Sequence, residues 1–293
     1  MRFRGTYTAL ITPFSGNGID SEAYRAHIER QIAGGVEGIV PVGTTGESPT
    51  VTHGEHREII RVAVEAANKR CLVVAGTGSN STAEAVDLTC EAERCGADAV
   101  LLVTPYYNKP SQEGLFRHFR AIAHSTDLPI ILYSIPGRCV IELAVETVVR
   151  LAAECPNIVA IKEAGGKVER VIALRAALPS TFDILSGDDA LTLPFISEGA
   201  VGVISVASNL MPAEVSTMVR LALDNRIDEA QVINERLDAL FNDLFIEPNP
   251  VPVKYAMSLQ GWCEAGVRLP LCEMSETNCE RIRAVLAPFG LKN

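Results

Sequence analysis

The chain has 293 residues, with 26 Lys and Arg against 36 Asp and Glu and a net charge of -10. The length suits two ordinary domains or one barrel, and 47% apolar against 21% charged residues excludes a disordered chain. The acidic balance counts against a nucleic-acid binder, which presents a basic face, and against attraction to an anionic membrane surface.

Arg2, Phe3, Arg4 and Gly5 open the chain with a basic stretch, but no apolar core of a signal peptide follows. No apolar run approaches the ~18 residues needed to span a bilayer. The expected location is the cytoplasm, with no membrane partner. Thr6 to Phe14, interrupted by Thr8 and Thr12, reads as a first strand.

From there short apolar runs alternate with longer amphipathic segments. The runs fall at 7–14, 38–43, 71–77, 99–105, 129–135, 158–162, 182–186 and 202–206, mostly rich in Val, Ile and Leu. Runs apolar on both faces suit buried parallel strands. Tyr24, Ile28 and Ile32 fall four apart before Gly34-Gly35, which predicts a helix and its stop. Thr52 with Glu55, and Ser81 with Glu84, predict two capping boxes. Segments 111–125, 141–154, 167–178 and 189–199 fit later helices.

Eight strand runs, each followed by a helical pattern, predict an α/β fold: a closed (β/α)8 barrel, or TIM barrel, over an open sheet. After Val206 the pattern is wholly helical, broken into two halves by the Pro-rich stretch 247–252. The expected organisation is a catalytic barrel over 1–206 and a C-terminal helical appendage over 207–293 packed on it. The units are unlike in sequence, so no solenoid is expected. The eight cysteines are scattered through apolar stretches without a CxxC pair. They read as reduced, packed thiols rather than a zinc site.

In such a barrel the chemistry lies at the C-terminal ends of the strands. Lys162 ends the apolar strand Ile158-Val159-Ala160-Ile161. Near the low-dielectric barrel centre its ammonium is disfavoured, and a neutral amine attacks a ketone to form a Schiff base. The plainer reading is a structural lysine paired with Glu163, but adjacent strand residues point to opposite faces. Tyr133 ends a neighbouring strand, either as a proton shuttle or as an aromatic filling the barrel. Thr44 and Thr45 follow Gly43 in a turn whose hydroxyls and N–H groups suit a carboxylate, or which is simply a Gly-Thr turn. It lacks the lysine of a P-loop. Arg138 is a fixed cation at a strand end, suited to a carboxylate or to a surface salt bridge. Asp188-Asp189 has no histidine or third carboxylate near in sequence, so it reads as a helix cap rather than a metal site.

Together these residues resemble the dihydrodipicolinate synthase family of the pyruvate-dependent class I aldolases, the superfamily that includes N-acetylneuraminate lyase. The resemblance rests on Val42-Gly43-Thr44-Thr45-Gly46-Glu47-Ser48, Ala75-Gly76-Thr77-Gly78, Val103-Thr104-Pro105-Tyr106-Tyr107-Asn108, Leu132-Tyr133, Pro136 with Arg138, Ile161-Lys162-Glu163-Ala164, Leu185-Ser186-Gly187-Asp188-Asp189, Gly202-Val203-Ile204-Ser205-Val206 and the run from Glu247 to Lys254. It covers the chain from about residue 3 to Lys254.

The resemblance implies an imine between Lys162 and pyruvate, with no other cofactor. Tyr133, Thr44 and Tyr107 would form a proton relay, Tyr107 entering a neighbouring subunit's site. Thr45 would join Thr44 at the pyruvate carboxylate, and Gly187 and Ile204 would line the pocket through their backbones. Arg138 would receive the carboxylate of aspartate 4-semialdehyde. It is the residue that favours a synthase over a lyase of sialic or sugar acids, and an intact relay counts against a non-catalytic ligand-sensing barrel. Ser48, His53, His56, Asn80, Glu84 and Tyr106 resemble the family's lysine feedback site. The family also implies a homotetramer built from tight dimers. Three positions depart from the family pattern: Ser134 and Cys139, which flank the Arg138 loop, and Pro49 beside Ser48.

Overall fold

A computed structural model describes residues 2–16 and 18–292. Met1, Asn17 and Asn293, which the expected spans include, lie outside the described residues. The elements in order are β1 (Gly5–Ala9), β2 (Phe14–Ser15), β3 (Gly18–Ile19), α1 (Ser21–Ala33), β4 (Gly38–Val40), α2 (His53–Ala67), β5 (Leu72–Gly76), α3 (Thr82–Arg94), β6 (Ala99–Val103) and α4 (Gln112–Ala123). There follow β7 (Ile130–Ser134), α5 (Pro136–Cys139), α6 (Val145–Glu154), β8 (Ile158–Glu163), α7 (Val168–Ala177), β9 (Asp183–Ser186), α8 (Thr192–Ser197) and β10 (Gly202–Ser205). The last four helices are α9 (Pro212–Leu223), α10 (Ile227–Asp243), α11 (Val251–Leu259) and α12 (Glu276–Leu286).

The eight long strands close into a parallel barrel in the order β1-β10-β9-β8-β7-β6-β5-β4. This is the (β/α)8 barrel that the alternation predicts. The seam where the last strand meets the first sets Gly5 against Gly202. A Cβ on Gly202 would overlap the Gly5 carbonyl, so closure at that point needs a glycine.

All eight strands feed the barrel interior, and six of them also feed an outer apolar layer. Tyr7, Val40, Val74, Leu101, Ile131, Ala160, Leu185 and Ile204 fill the barrel interior. Ile39, Val73, Val100, Leu132, Ile161 and Ile184 face the helices. That double burial is why the strands read as continuous apolar runs. Between β7 and β8 the register sets Tyr133 opposite Lys162 and Ser134 opposite Glu163. Hydrogen-bond register thus sets the Tyr133 and Lys162 strand ends side by side.

Several details differ from expectation. The run 7–14 ends in the first strand of a small antiparallel pair, β2 with β3. The capping box at α2 is complete. At α3 the Ser81 side chain caps the Glu84 N–H, but the Glu84 carboxylate turns to His53 and Ser79. The helix expected over 189–199 is only α8, because Asp188 and Asp189 spend their carboxylates on backbone N–H groups outside a helix. The C-terminal region is not wholly helical: between α11 and α12 no helix occurs among the described residues, where Gly261, Gly266 and Pro270 interrupt the pattern.

α9 packs on β1, α1 and α8 and so completes the helical ring. The expected division into 1–206 and 207–293 therefore falls before the eighth helix. A second core joins α9–α12 to Ile11, Leu193, Ile196 and Val203 of the barrel. The Pro-rich stretch separates α10 from α11 as expected, its last two residues, Val251 and Pro252, opening α11.

Candidate active site

Strand β8 sends Ala160 into the barrel interior and Ile161 into the outer core. Alternation then places Lys162 inward and Glu163 outward. Glu163 is fully buried outside the barrel, where it accepts from Arg170 Nε at 2.7 Å and from the Gly165 N–H at 2.7 Å. It is no partner for Lys162. The Lys162 Nζ instead lies 4.2 Å from the centre of the Tyr133 ring. Burial lowers its pKa to about 8, opposed by the charge of Asp189 and reinforced by that of Arg138.

Tyr133 is equally buried, and desolvation raises its phenol pKa to about 12. A hydrogen bond with Thr44 works against that rise. A phenol that keeps its proton, tied to a hydroxyl and set beside an amine, is equipped to pass protons.

Thr44 and Thr45 stand in the turn after β4. The turn is folded by bonds from Gly46 N–H and Ser48 N–H to the Gly43 carbonyl and from Glu47 N–H to the Thr44 carbonyl. Thr12 donates its hydroxyl to the Gly46 carbonyl at 2.7 Å. Among the described residues the Thr44 and Thr45 N–H groups find no acceptor. Two hydroxyls and two amides in one turn suit an anionic oxygen pair.

Arg138 stands on the short helix α5 and donates to the Asn249 carbonyl at 3.4 Å. Gly187 follows β9, and a Cβ there would come within 3.0 Å of Lys162 Cε and 2.6 Å of Ala164 Cβ. Only a glycine leaves Lys162 its room.

One cavity at the strand C-termini is lined by Thr44, Thr45, Tyr133, Arg138, Lys162 and Gly187. Six of the expected site residues thus share one space. Ile204 is not among its lining residues. It is buried in the barrel interior, and Val206 lines the cavity from the same strand end. Tyr107 also lies apart: it is 90% exposed, with a left-handed φ of 72°. Ser134 and Cys139 do not line the cavity; the Cys139 thiol bonds the Thr104 carbonyl at 3.1 Å.

Sequence reasoning missed several residues here. Asp189 is fully buried and accepts from the Val206 and Ala207 N–H groups at 2.9 Å each, which holds the segment after β10. Its apolar surroundings raise its pKa. Phe245 and Asn249 reach the cavity from the C-terminal region. The signal for Asn249 was present in its motif, but no local pattern reveals a partner 204 positions away.

A second cavity of about 380 Å³ is lined by Ser48, Pro49, His53, His56, Glu84 and Tyr106, among others. Asn80 stands at its edge, donating to the Tyr106 carbonyl at 3.2 Å. All six residues expected at a lysine site are therefore neighbours. The Ser79 hydroxyl and the His53 ring hold Glu84 below the usual carboxylate range. His53 is exposed as its first-turn position suggests, but His56 is buried and donates from Nε2 to the Gly76 carbonyl at 2.9 Å. Burial lowers its pKa.

Fold and site define a (β/α)8-barrel enzyme with its polar machinery at the strand C-termini. The chain belongs to the dihydrodipicolinate synthetase family, which matches residues 2–288. This is the family that the motifs resemble. The 4-hydroxy-tetrahydrodipicolinate synthase of Persephonella marina is 49% identical over 290 residues, covering 99% of each chain. The 4-hydroxy-tetrahydrodipicolinate synthase of Methylacidiphilum fumariolicum SolV has a closely similar structure, with a TM-score of 0.97 and 57% identity over 98% of this chain and 95% of that one. The dihydrodipicolinate synthase of Cyanidioschyzon merolae, solved with lysine bound, gives a TM-score of 0.96 at 42% identity over 99% of each chain. Such full-length relatives favour a synthase over a sugar-acid lyase. No helix among the described residues is long and apolar enough to cross a membrane.

Proposed function

We propose that this enzyme condenses pyruvate with L-aspartate 4-semialdehyde through a Schiff base on Lys162. The product is 4-hydroxy-tetrahydrodipicolinate, at the committed step of diaminopimelate and lysine biosynthesis. The observation that carries the reading is Lys162 itself: an amine buried at the barrel mouth, set against the Tyr133 ring, with its pKa lowered to about 8.

The neutral amine adds to the pyruvate ketone. Tyr133, relayed through Thr44, protonates the carbinolamine oxygen, water leaves, and an imine forms. Loss of a methyl proton gives the enamine, whose carbon attacks the semialdehyde's aldehyde carbon. The amino group of that substrate then displaces Lys162 from the imine carbon and closes the ring. No other cofactor is needed, because the lysine is the electron sink. Thr44 and Thr45 hold the pyruvate carboxylate, with Gly187 and Val206 lining its pocket. Arg138 receives the carboxylate of the second substrate.

Tyr107 completes the relay from a partner subunit. Its exposure and left-handed backbone suit a side chain that serves outside its own chain. The assembly is a homotetramer, a dimer of dimers, working in the cytoplasm.

Coupled assays test the substrate. Turnover is expected with aspartate semialdehyde and not with N-acetylneuraminate or 2-keto-3-deoxygluconate. Arg138→Ala is expected to cost about 2 kcal/mol or more in kcat/KM for the semialdehyde, the scale of a charge-assisted bond, while pyruvate binding survives. The reverse substrate preference would overturn the assignment.

The second cavity takes lysine as a feedback inhibitor. Glu84 faces the ammonium, and the hydroxyl, amide and phenol groups face the carboxylate. The lysine-bound relative supports this. Glu84→Ala is expected to weaken inhibition at least about tenfold, a fair share of one charge-assisted contact; an unaltered chain indifferent to high lysine would remove the claim.

A further inference from the structure

The Pro-rich motif ending in Lys254 has no part in the reaction above, yet its side chains reach the substrate turn. Lys254 on α11 donates from Nζ to Glu47 Oε1 at 2.7 Å, and both side chains are fully buried. The second Glu47 oxygen accepts the Arg268 N–H at 3.0 Å. The Phe14 ring lies 4.2 Å from the Lys254 Nζ. Two residues before α11, Asn249 donates from Nδ2 to Thr45 Oγ1 at 2.9 Å. Its carbonyl accepts from Arg138.

The turn needs such a grip. Val42 and Glu47, which flank Gly43–Gly46, both hold left-handed φ angles, 47° and 57°. Non-glycine residues keep that conformation only where the surroundings over-determine it. A buried ion pair contributes little net stability for its desolvation, but it fixes one geometry among several. The Asn249 bond also has a chemical consequence. A threonine hydroxyl has one proton and two lone pairs. With one lone pair taken by Asn249, Thr45 keeps its proton for an anionic oxygen.

We propose that Asn249 and the Glu47–Lys254 pair are positioning residues that set the 44–47 turn for the carboxylate of a small 2-oxo acid. They make the C-terminal region part of substrate binding rather than a passive support. The inference rests on the pyruvate reading above.

Two variants test it: Glu47→Gln with Lys254→Met, which removes both buried charges at once, and Asn249→Ala, which leaves the pair intact. Each is measured for melting temperature, for pyruvate KM and kcat, and for borohydride trapping of pyruvate on Lys162 beside the unaltered chain. The expected result is a folded protein whose pyruvate KM rises about tenfold with a smaller change in kcat, the signature of lost binding. A folded variant with unchanged pyruvate KM overturns the inference, and if the double variant does not fold, Asn249→Ala alone decides. Absent trapping in the unaltered chain would instead sink the pyruvate reading, so the two failures are distinct.

Discussion

At the scale of single residues, the site is a problem of proton occupancy. An ordinary lysine titrates at 10.5, and Lys162 is lowered to about 8. At neutral pH that raises the neutral amine from roughly one molecule in 3,000 to about one in ten, a gain of about 300-fold. The sign follows directly. The ammonium loses its proton as pH rises through about 8, so imine formation should climb about tenfold per pH unit below that value and level above it. Single-turnover trapping of pyruvate across that range measures it; a profile that keeps climbing to 10.5 or beyond would contradict the burial argument. Stability follows the same group. Between about 8 and 10.5 the unfolded chain binds the proton more often, so stability rises with pH in that window and bears the full burial cost below it. Asp189 limits the shift, since its charge favours the ammonium.

The candidate residues were legible individually but not as contacts. Lys162 stands out as a charge ending an apolar strand, and strand alternation turns Glu163 to the opposite face. The Arg170 partner of Glu163 bears that out. Glu47 and Lys254 gave no such signal. Each is an ordinary charge in its own segment, and the pair exists only because 207 positions of chain bring them together.

At the scale of elements, the barrel strands were legible because most are apolar on both faces; β1 is the exception, with Thr6 and Thr8 on its outer face. The shorter pieces were not. β2 and β3 are two residues each, and α5 is four, too short for any period to repeat. The box at α3 is incomplete because the Glu84 carboxylate is drawn to His53 and Ser79. The β9 end shows how tightly elements fix chemistry. Gly187→Ala would push a methyl against Ala164 and Lys162 Cε, at a cost of about 1–3 kcal/mol for overpacking. We expect reduced stability and a larger fall in kcat than in thermal midpoint would suggest; melting and kinetics together check it. A fully active, equally stable variant would show that Lys162 has more room than the contacts allow.

At the scale of the molecule, the barrel supplies a rigid ring of strand ends, and the helices beyond β10 complete it. That region shares a core with Ile11 and Val203 and sends Phe245 and Asn249 into the cavity. The net charge of -10 runs against an anionic substrate, so recognition belongs to local groups rather than the global field. In the proposed reading those groups are Thr44, Thr45 and Arg138, set on a turn and a short helix.

The central claim is that the Lys162 amine forms a Schiff base with pyruvate. Borohydride reduction in the presence of pyruvate, followed by peptide mass analysis, reads it directly. A pyruvate-derived adduct confined to the Lys162 peptide is the predicted result; no adduct there, or one on another lysine, would contradict the account.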